Sequence, residues 1–226
     1  AEEEDTQQAV EDKDKTEIKK MQAVSGKTTL GIDVSKWNKE IDWDKVKAAG
    51  VDYVIIRCGY RGSTTGSLVE DPYFSSNMKG AIAAGGKVGV YFFTQAINDV
   101  EAVEEASMVV SLIKDYNLTY PVFIDTEGAG GNGRADGLDV ATRTSVIDAF
   151  CATIENAGYQ AGVYASRNWY NNRVEASSLD KYVIWLAEYR SVPLYQGYYQ
   201  MWQYTSQGKI DGISGKVDMN LSYLGY

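Results

Sequence analysis

The 226-residue chain contains no histidine. That absence excludes hydrolases built on Ser-His-Asp or Cys-His relays, in which an imidazole carries the proton. It also excludes zinc centres with imidazole ligands, including those of metal-dependent polysaccharide deacetylases. Proton chemistry, if there is any, falls to carboxylates. Cysteine is scarce as well: Cys58 and Cys151 do not make a disulfide framework. Both are expected to be free and buried, behaving as small hydrophobes. The net charge is −9 and no basic stripe is visible, so a nucleic-acid partner is not expected. No apolar run is long enough to span a bilayer.

What the chain does have is 44% hydrophobic residues, enough for one sizeable core, and seventeen Tyr with five Trp. Residues 1–29 are polar, with Glu2, Glu3, Glu4, Asp5, Glu11, Asp12, Asp14 and Glu17 against Lys13, Lys15, Lys19 and Lys20. They read as a charged linker or tail. Residues 30–226 read as one domain. Short strands end at Asp33, Cys58, Phe93, Ala165, Leu186, Tyr204 and Asn220, and another runs from Pro121 to Glu127. Helical segments lie between the first five: about 42–50, one opened by Asp71-Pro72, about 98–116 with an Asn98/Glu101 capping box, and about 139–156. The alternation implies an α/β fold with a parallel sheet, and eight strands in about two hundred residues imply a closed barrel. Helical patterns fade after the fifth strand. The expected fold is therefore an irregular TIM-like β/α barrel with eight strands and fewer than eight helices.

Parallel barrels carry their sites at the C-terminal strand ends. There the stretch Pro121–Glu127 ends in Asp125 and Glu127, two residues apart and so on one side of the strand, roughly 7 Å apart at the backbone. Two close like charges raise one pKa and keep a carboxyl protonated near neutrality, which equips the pair for general-acid work. The other strand ends supply Asp33, Arg57, Tyr91, Tyr164, Trp185 with Tyr189 beyond it, Trp202 with Gln203, and Asp218. Each has a plain alternative. Asp33 would cap a turn, Asp218 would pair with Lys209 or Lys216, Arg57 would neutralise a buried carboxylate, and the tryptophans would be core. Together they describe an acidic, aromatic-lined bowl of the kind that binds carbohydrate.

The ordered series Gly-Ile-Asp-Val-Ser at 31–35, Ile41-Asp42-Trp43, Asp71-Pro72-Tyr73-Phe74, Gly89-Val90-Tyr91-Phe92-Phe93, Phe123-Ile124-Asp125-Thr126-Glu127, Trp185-Leu186-Ala187, Trp202-Gln203-Tyr204 and Gly215-Lys216-Val217-Asp218 resembles the family-25 glycoside hydrolases. These are lysozymes acting as N-acetylmuramidases. The resemblance implies hydrolysis of the β-1,4 bond between N-acetylmuramic acid and N-acetylglucosamine, with peptidoglycan glycan strands as the partner. It implies Glu127 as proton donor, Asp33, Asp125 and Asp218 as the other active-site carboxylates, and sugar contacts from Arg57, Tyr91, Tyr164, Trp185, Tyr189, Trp202 and Gln203. No cofactor or metal is expected. A secreted or wall-associated monomer is. Two departures stand out. Many members carry His where this chain has Phe92, which puts one substrate contact in question, and the glycine-rich loop 128–137 is longer than expected.

Overall fold

The computed structural model describes residues 27–226, so the charged stretch expected to be a linker lies outside the described residues up to position 26. The strands are β1 (Thr29–Val34), β2 (Tyr53–Arg61), β3 (Leu68–Glu70), β4 (Lys87–Phe93), β5 (Val122–Asp125), β6 (Ala161–Ser166), β7 (Val183–Ala187), β8 (Met201–Gly208) and β9 (Val217–Ser222). The helices are α1 (Trp43–Ala48), α2 (Phe74–Ala83), α3 (Asp99–Ile113), α4 (Val140–Asn156), α5 (Arg167–Asn172) and α6 (Ala176–Leu179). The sheet order β1-β9-β8-β7-β6-β5-β4-β2-β3, closed by a β1–β2 pairing, makes an eight-stranded barrel with β3 as a flap on β2. Among the described residues fewer than eight helices surround it, and none lies between β7 and β8 or between β8 and β9. The expected irregular barrel is what the chain forms.

Period-two alternation sorts each strand between two cores. Tyr53, Ile55, Phe123, Trp185 and Met201 point inward and fill the barrel. Their neighbours Val54, Ile56, Ile124, Ile184, Leu186 and Trp202 point outward, into the layer shared with the helices. The inward bulk needs glycine opposite it. A Cβ at Gly31 would come within 2.2 Å of the Tyr53 ring, and one at Gly162 within 2.3 Å of Phe123. Capping follows the sequence at α1, α3 and α4, where Asp42, Asn98 and Asp139 accept from Lys45, Glu101 and Thr142 backbone N–H groups. Cys58 and Cys151 are free and buried.

Three expectations are corrected. The last strand is not parallel: β9 runs antiparallel to both β1 and β8. With only the turn from Lys209 to Lys216 before it, the chain has no helix with which to cross back beneath the barrel. The strand bearing the carboxylate pair ends at Asp125, so Glu127 stands on the loop beyond it. The helix expected to open at Asp71-Pro72 starts at Phe74 and has no side-chain cap. Asp71 is buried and binds a cation instead, as described below.

Candidate active site

Barrel closure brings the four acidic positions together. Asp125 ends β5, and Asp33 lies directly opposite Asp218 in the antiparallel β1–β9 register. Because β9 runs backwards, its first residues reach the mouth where the parallel strands end. Like charges set directly opposite each other on neighbouring strands repel. The fold accepts this at Asp33, which is 5% exposed and receives two amide hydrogen bonds, from Gln203 Nε2 at 2.8 Å and Asn220 Nδ2 at 2.9 Å. Gln203 is in turn fixed by Tyr164 and Tyr189, whose hydroxyls both donate to its Oε1 at 2.7 Å. Asn220 is fixed by Trp185, whose Nε1 donates to its Oδ1 at 2.8 Å.

Asp125, Glu127 and Asp218 face a cleft of about 670 Å³ that runs across the mouth toward Trp37, Tyr60 and the 62–65 turn, past Arg57, Tyr91 and Phe93. Burial is the largest influence on all four carboxyls and raises each of them. Asp33 is pushed up further by Asp218, against its two amide donors. Asp125 is pushed up further by the charges of Glu127 and Asp33. Glu127 is exposed to the cleft, yet enough protein surrounds its carboxyl for desolvation to raise it; Asp218 adds to this, while the hydrogen bond with Asp125 opposes it. The direction of that last effect differs from the sequence reading, in which Asp125 raises Glu127. Among the described residues none of the four has an ion-pair partner.

The remaining expected contacts divide. Arg57 and Tyr91 line the cleft. Arg57 spends its Nε on Asp71 at 2.8 Å, so it does neutralise a buried carboxylate, but its Nη2 is buried without a partner. Tyr164, Tyr189 and Gln203 form the hydrogen-bonded support just described. The structure does not bring Trp185 or Trp202 to the cleft wall. Trp185 is 1% exposed and packs edge-on to Tyr91, Phe123 and Tyr164 beneath the site. Trp202 is on an outward-facing position in the outer core and donates to the Glu188 carbonyl. Phe92 also faces outward, against Phe150, so the departure noted there does not touch the cleft; Phe93 does. The loop after Glu127 is tied down. Asp136 accepts from Ala129 and Gly133 N–H groups, Arg134 N donates to the Ser63 carbonyl, and the Arg134 guanidinium grips Glu101. Sequence reasoning missed Asn220, although its spacing of two from Asp218 places it near the same site, and it missed Trp37, Tyr60 and Phe93.

Comparison with known proteins agrees with this geometry. The profile of Glycosyl hydrolases family 25 matches residues 32–213. The chain belongs to glycosyl hydrolase family 25. It is therefore a glycoside hydrolase, with lysozymes among its relatives. Lysozyme M1 of Streptomyces globisporus is 29% identical over 200 residues, covering 84% of this chain and 66% of that protein. Among solved structures, the modular autolysin LytC of Streptococcus pneumoniae superimposes with a TM-score of 0.77 at 33% identity, covering 86% of this chain and 46% of LytC. A bacterial lysozyme from Streptomyces coelicolor gives 0.72 at 26% identity, covering 85% of this chain and 90% of that one. The chain thus spans less than half of LytC. Among the described residues no group of three or more Cys, Asp or Glu side chains is arranged to hold a metal ion, and no helix is long and apolar enough to cross a membrane.

Proposed function

We propose that this glycoside hydrolase is a lysozyme-type N-acetylmuramidase that cuts the β-1,4 bond between N-acetylmuramic acid and N-acetylglucosamine in peptidoglycan, outside the cell or at its wall. The observation carrying the proposal is the Asp125–Glu127 pair set side by side in the wall of the cleft, with no cation among the described residues paired to either. Glu127 is the general acid. It gives its proton to the glycosidic oxygen as that bond breaks and positive charge spreads over the sugar ring. The carbonyl oxygen of the substrate's own 2-acetamido group closes on the anomeric carbon, forming an oxazolinium ion. Asp125 accepts the acetamido N–H and balances its charge.

This chemistry needs Glu127 protonated and Asp125 ionised. Docking of the acetamido N–H against Asp125 favours the ionised form of that carboxyl. Water then attacks the anomeric carbon as its bond to the acetamido oxygen breaks and the ring reopens, and it gives its proton to Glu127, which restores the acid and leaves a muramic-acid reducing end. Asp33 and Asp218 hold the charge balance of the floor, and Arg57 and Tyr91 contact sugar. The test is digestion of purified peptidoglycan with identification of the new reducing ends. Muramic-acid ends are expected. Glucosamine ends would assign the enzyme to another bond, and no new ends would make it a binding barrel.

A further inference from the structure

Trp37 is 75% exposed, an unusual placement for an indole in a folded domain. It is not exposed through looseness. It lies in the 3-10 turn Lys36–Asn38, where the Ser35 hydroxyl accepts from Trp37 N at 3.3 Å and Asn38 Oδ1 accepts from Ser35 N at 3.0 Å. The Asp71 carboxylate accepts from Lys36 N at 3.1 Å, and Asn38 Nδ2 donates across to the Lys216 carbonyl at 3.3 Å. The turn closes at Lys39 with φ 58 and ψ −148, a region that glycine favours, and no other non-glycine residue described has positive φ. A strained turn fastened by these four hydrogen bonds holds an indole out in solvent at the edge of the cleft that contains Asp125 and Glu127.

Beside it is a cation. Lys36 Nζ stands 4.8 Å from the Trp37 ring centre and 5.4 Å from that of Tyr60, which also lines the cleft. No carboxylate among the described residues is within ion-pair distance of Lys36, and Asp71, which binds the Lys36 backbone N–H, takes its charge partner from Arg57. A free ammonium between two rings in the cleft of a chain of net charge −9 is a feature of recognition rather than of stability.

We infer that Trp37 and Tyr60 form a stacking platform for a saccharide ring of the bound glycan strand, and that Lys36 selects a ring bearing a carboxylate. The inference rests on the peptidoglycan reading and names the part of that substrate read on the β1–β2 side of the mouth. Aromatic faces suit the apolar faces of sugar rings, and an ammonium set between them suits an anionic substituent. In a glycan strand of alternating sugars, the muramyl residues carry it, as the lactyl carboxylate or as the stem peptide attached there.

The test uses the whole chain with Glu127→Gln, so that ligand is bound and not cut. Affinities are measured calorimetrically for three soluble probes of equal length: strands with stem peptides, strands stripped to the free lactyl carboxylate, and N-acetylglucosamine oligomers. Adding Trp37→Ala is expected to weaken all three about tenfold, and Trp37→Phe to restore most of it. Adding Lys36→Met is expected to weaken one or both muramyl probes about fivefold and leave the glucosamine oligomer within about twofold. The muramyl probe affected identifies which carboxylate is read. Unchanged affinity in Trp37→Ala overturns the platform. Equal loss, or no loss, across the three probes in Lys36→Met overturns the selection. If the Glu127→Gln protein binds neither muramyl probe, this inference falls together with the substrate reading, whereas an intact reducing-end result with unaffected variants removes this inference alone.

Discussion

The mouth of the barrel holds four carboxyls, Asp33, Asp125, Glu127 and Asp218, with no cation among the described residues paired to any of them. In the N-terminal half of α3 three others, Glu101, Glu104 and Glu105, gather around two arginines. Arg61 reaches Glu105 at 2.8 Å and Glu104 at 3.1 Å, and Arg134 takes Glu101 in a two-pronged grip at 2.6 and 3.0 Å. Both clusters contain fully or nearly buried acids, so desolvation acts on both. The counter-ions differ. Arg134 holds Glu101 below the usual carboxylate range, and Arg61 opposes the burial that pushes Glu105 up to about 7. At the mouth the nearest guanidinium is turned away to Asp71, and every carboxyl rises. The α3 cluster is an anchor: through Arg61 and Arg134 it fastens the 62–67 turn and the loop that follows Glu127. The mouth cluster is left without such partners, and burial holds its carboxyls above their ordinary range.

Removing the anchor's cation should have the largest effect. Arg61→Met leaves Glu105 buried and uncompensated and is expected to cost about 3 kcal/mol or more in denaturant unfolding. Glu105 has a folded-state pKa above its unfolded one, so its contribution favours folding below the unfolded value and is lost as pH rises through about 7. The deficit of the variant should therefore be greatest above neutral pH and shrink at pH 5; a deficit independent of pH would remove Glu105 from the explanation. Next is Glu127→Gln, expected to lower turnover of peptidoglycan by ~10² or more with little change in melting temperature, since the amide can still donate to Asp125. Near-normal turnover would take Glu127 out of the acid role.

Asp125→Asn should stabilise the protein, by about 1 kcal/mol at pH 7, because it deletes a buried charge that the fold destabilises while abolishing activity. As pH falls, Asp125 takes up its proton in the wild type, so the advantage should fade; a gain that persists in acid would point to packing instead. The smallest expected change is in Asp218→Asn. Asp218 raises Glu127 by its charge, so neutralising it lets Glu127 ionise sooner, and the alkaline limb of the activity profile should move to lower pH. A limb that stays put would mean that the two carboxyls do not sense each other.

Much of this was legible in the chain. Alternating apolar strands with glycine at the joints gave the barrel, and strand-end carboxylates gave Asp33, Asp125, Glu127 and Asp218. What was not legible has physical reasons. Apolar periodicity states that a segment is a strand but not its direction, so the reversal of β9 was invisible. β3 is three residues long and largely exposed, below the reach of any pattern. An Asp-Pro pair reads as a helix start until tertiary structure supplies a cation, here Arg57, that binds the aspartate more strongly. Trp185 and Trp202 look alike in sequence to a sugar platform; whether an indole is packed or presented depends on which face of the strand it takes, and the presented one, Trp37, lies on a turn.

The reversed strand has a consequence for how the molecule comes into being. β9 closes the barrel against β1, and the hydrogen bonds that fix Asp33 join residues 170 and 187 positions apart. Contacts of such separation are slow to form, because a long loop must close before they reward it. The Asp125–Glu127 pair belongs to the middle of the chain and depends on no such closure for its own spacing. A chain open along the β1–β9 seam would lack Asp218 at the mouth and the amide donors of Asp33, so the seam that closes the barrel also completes the acidic site.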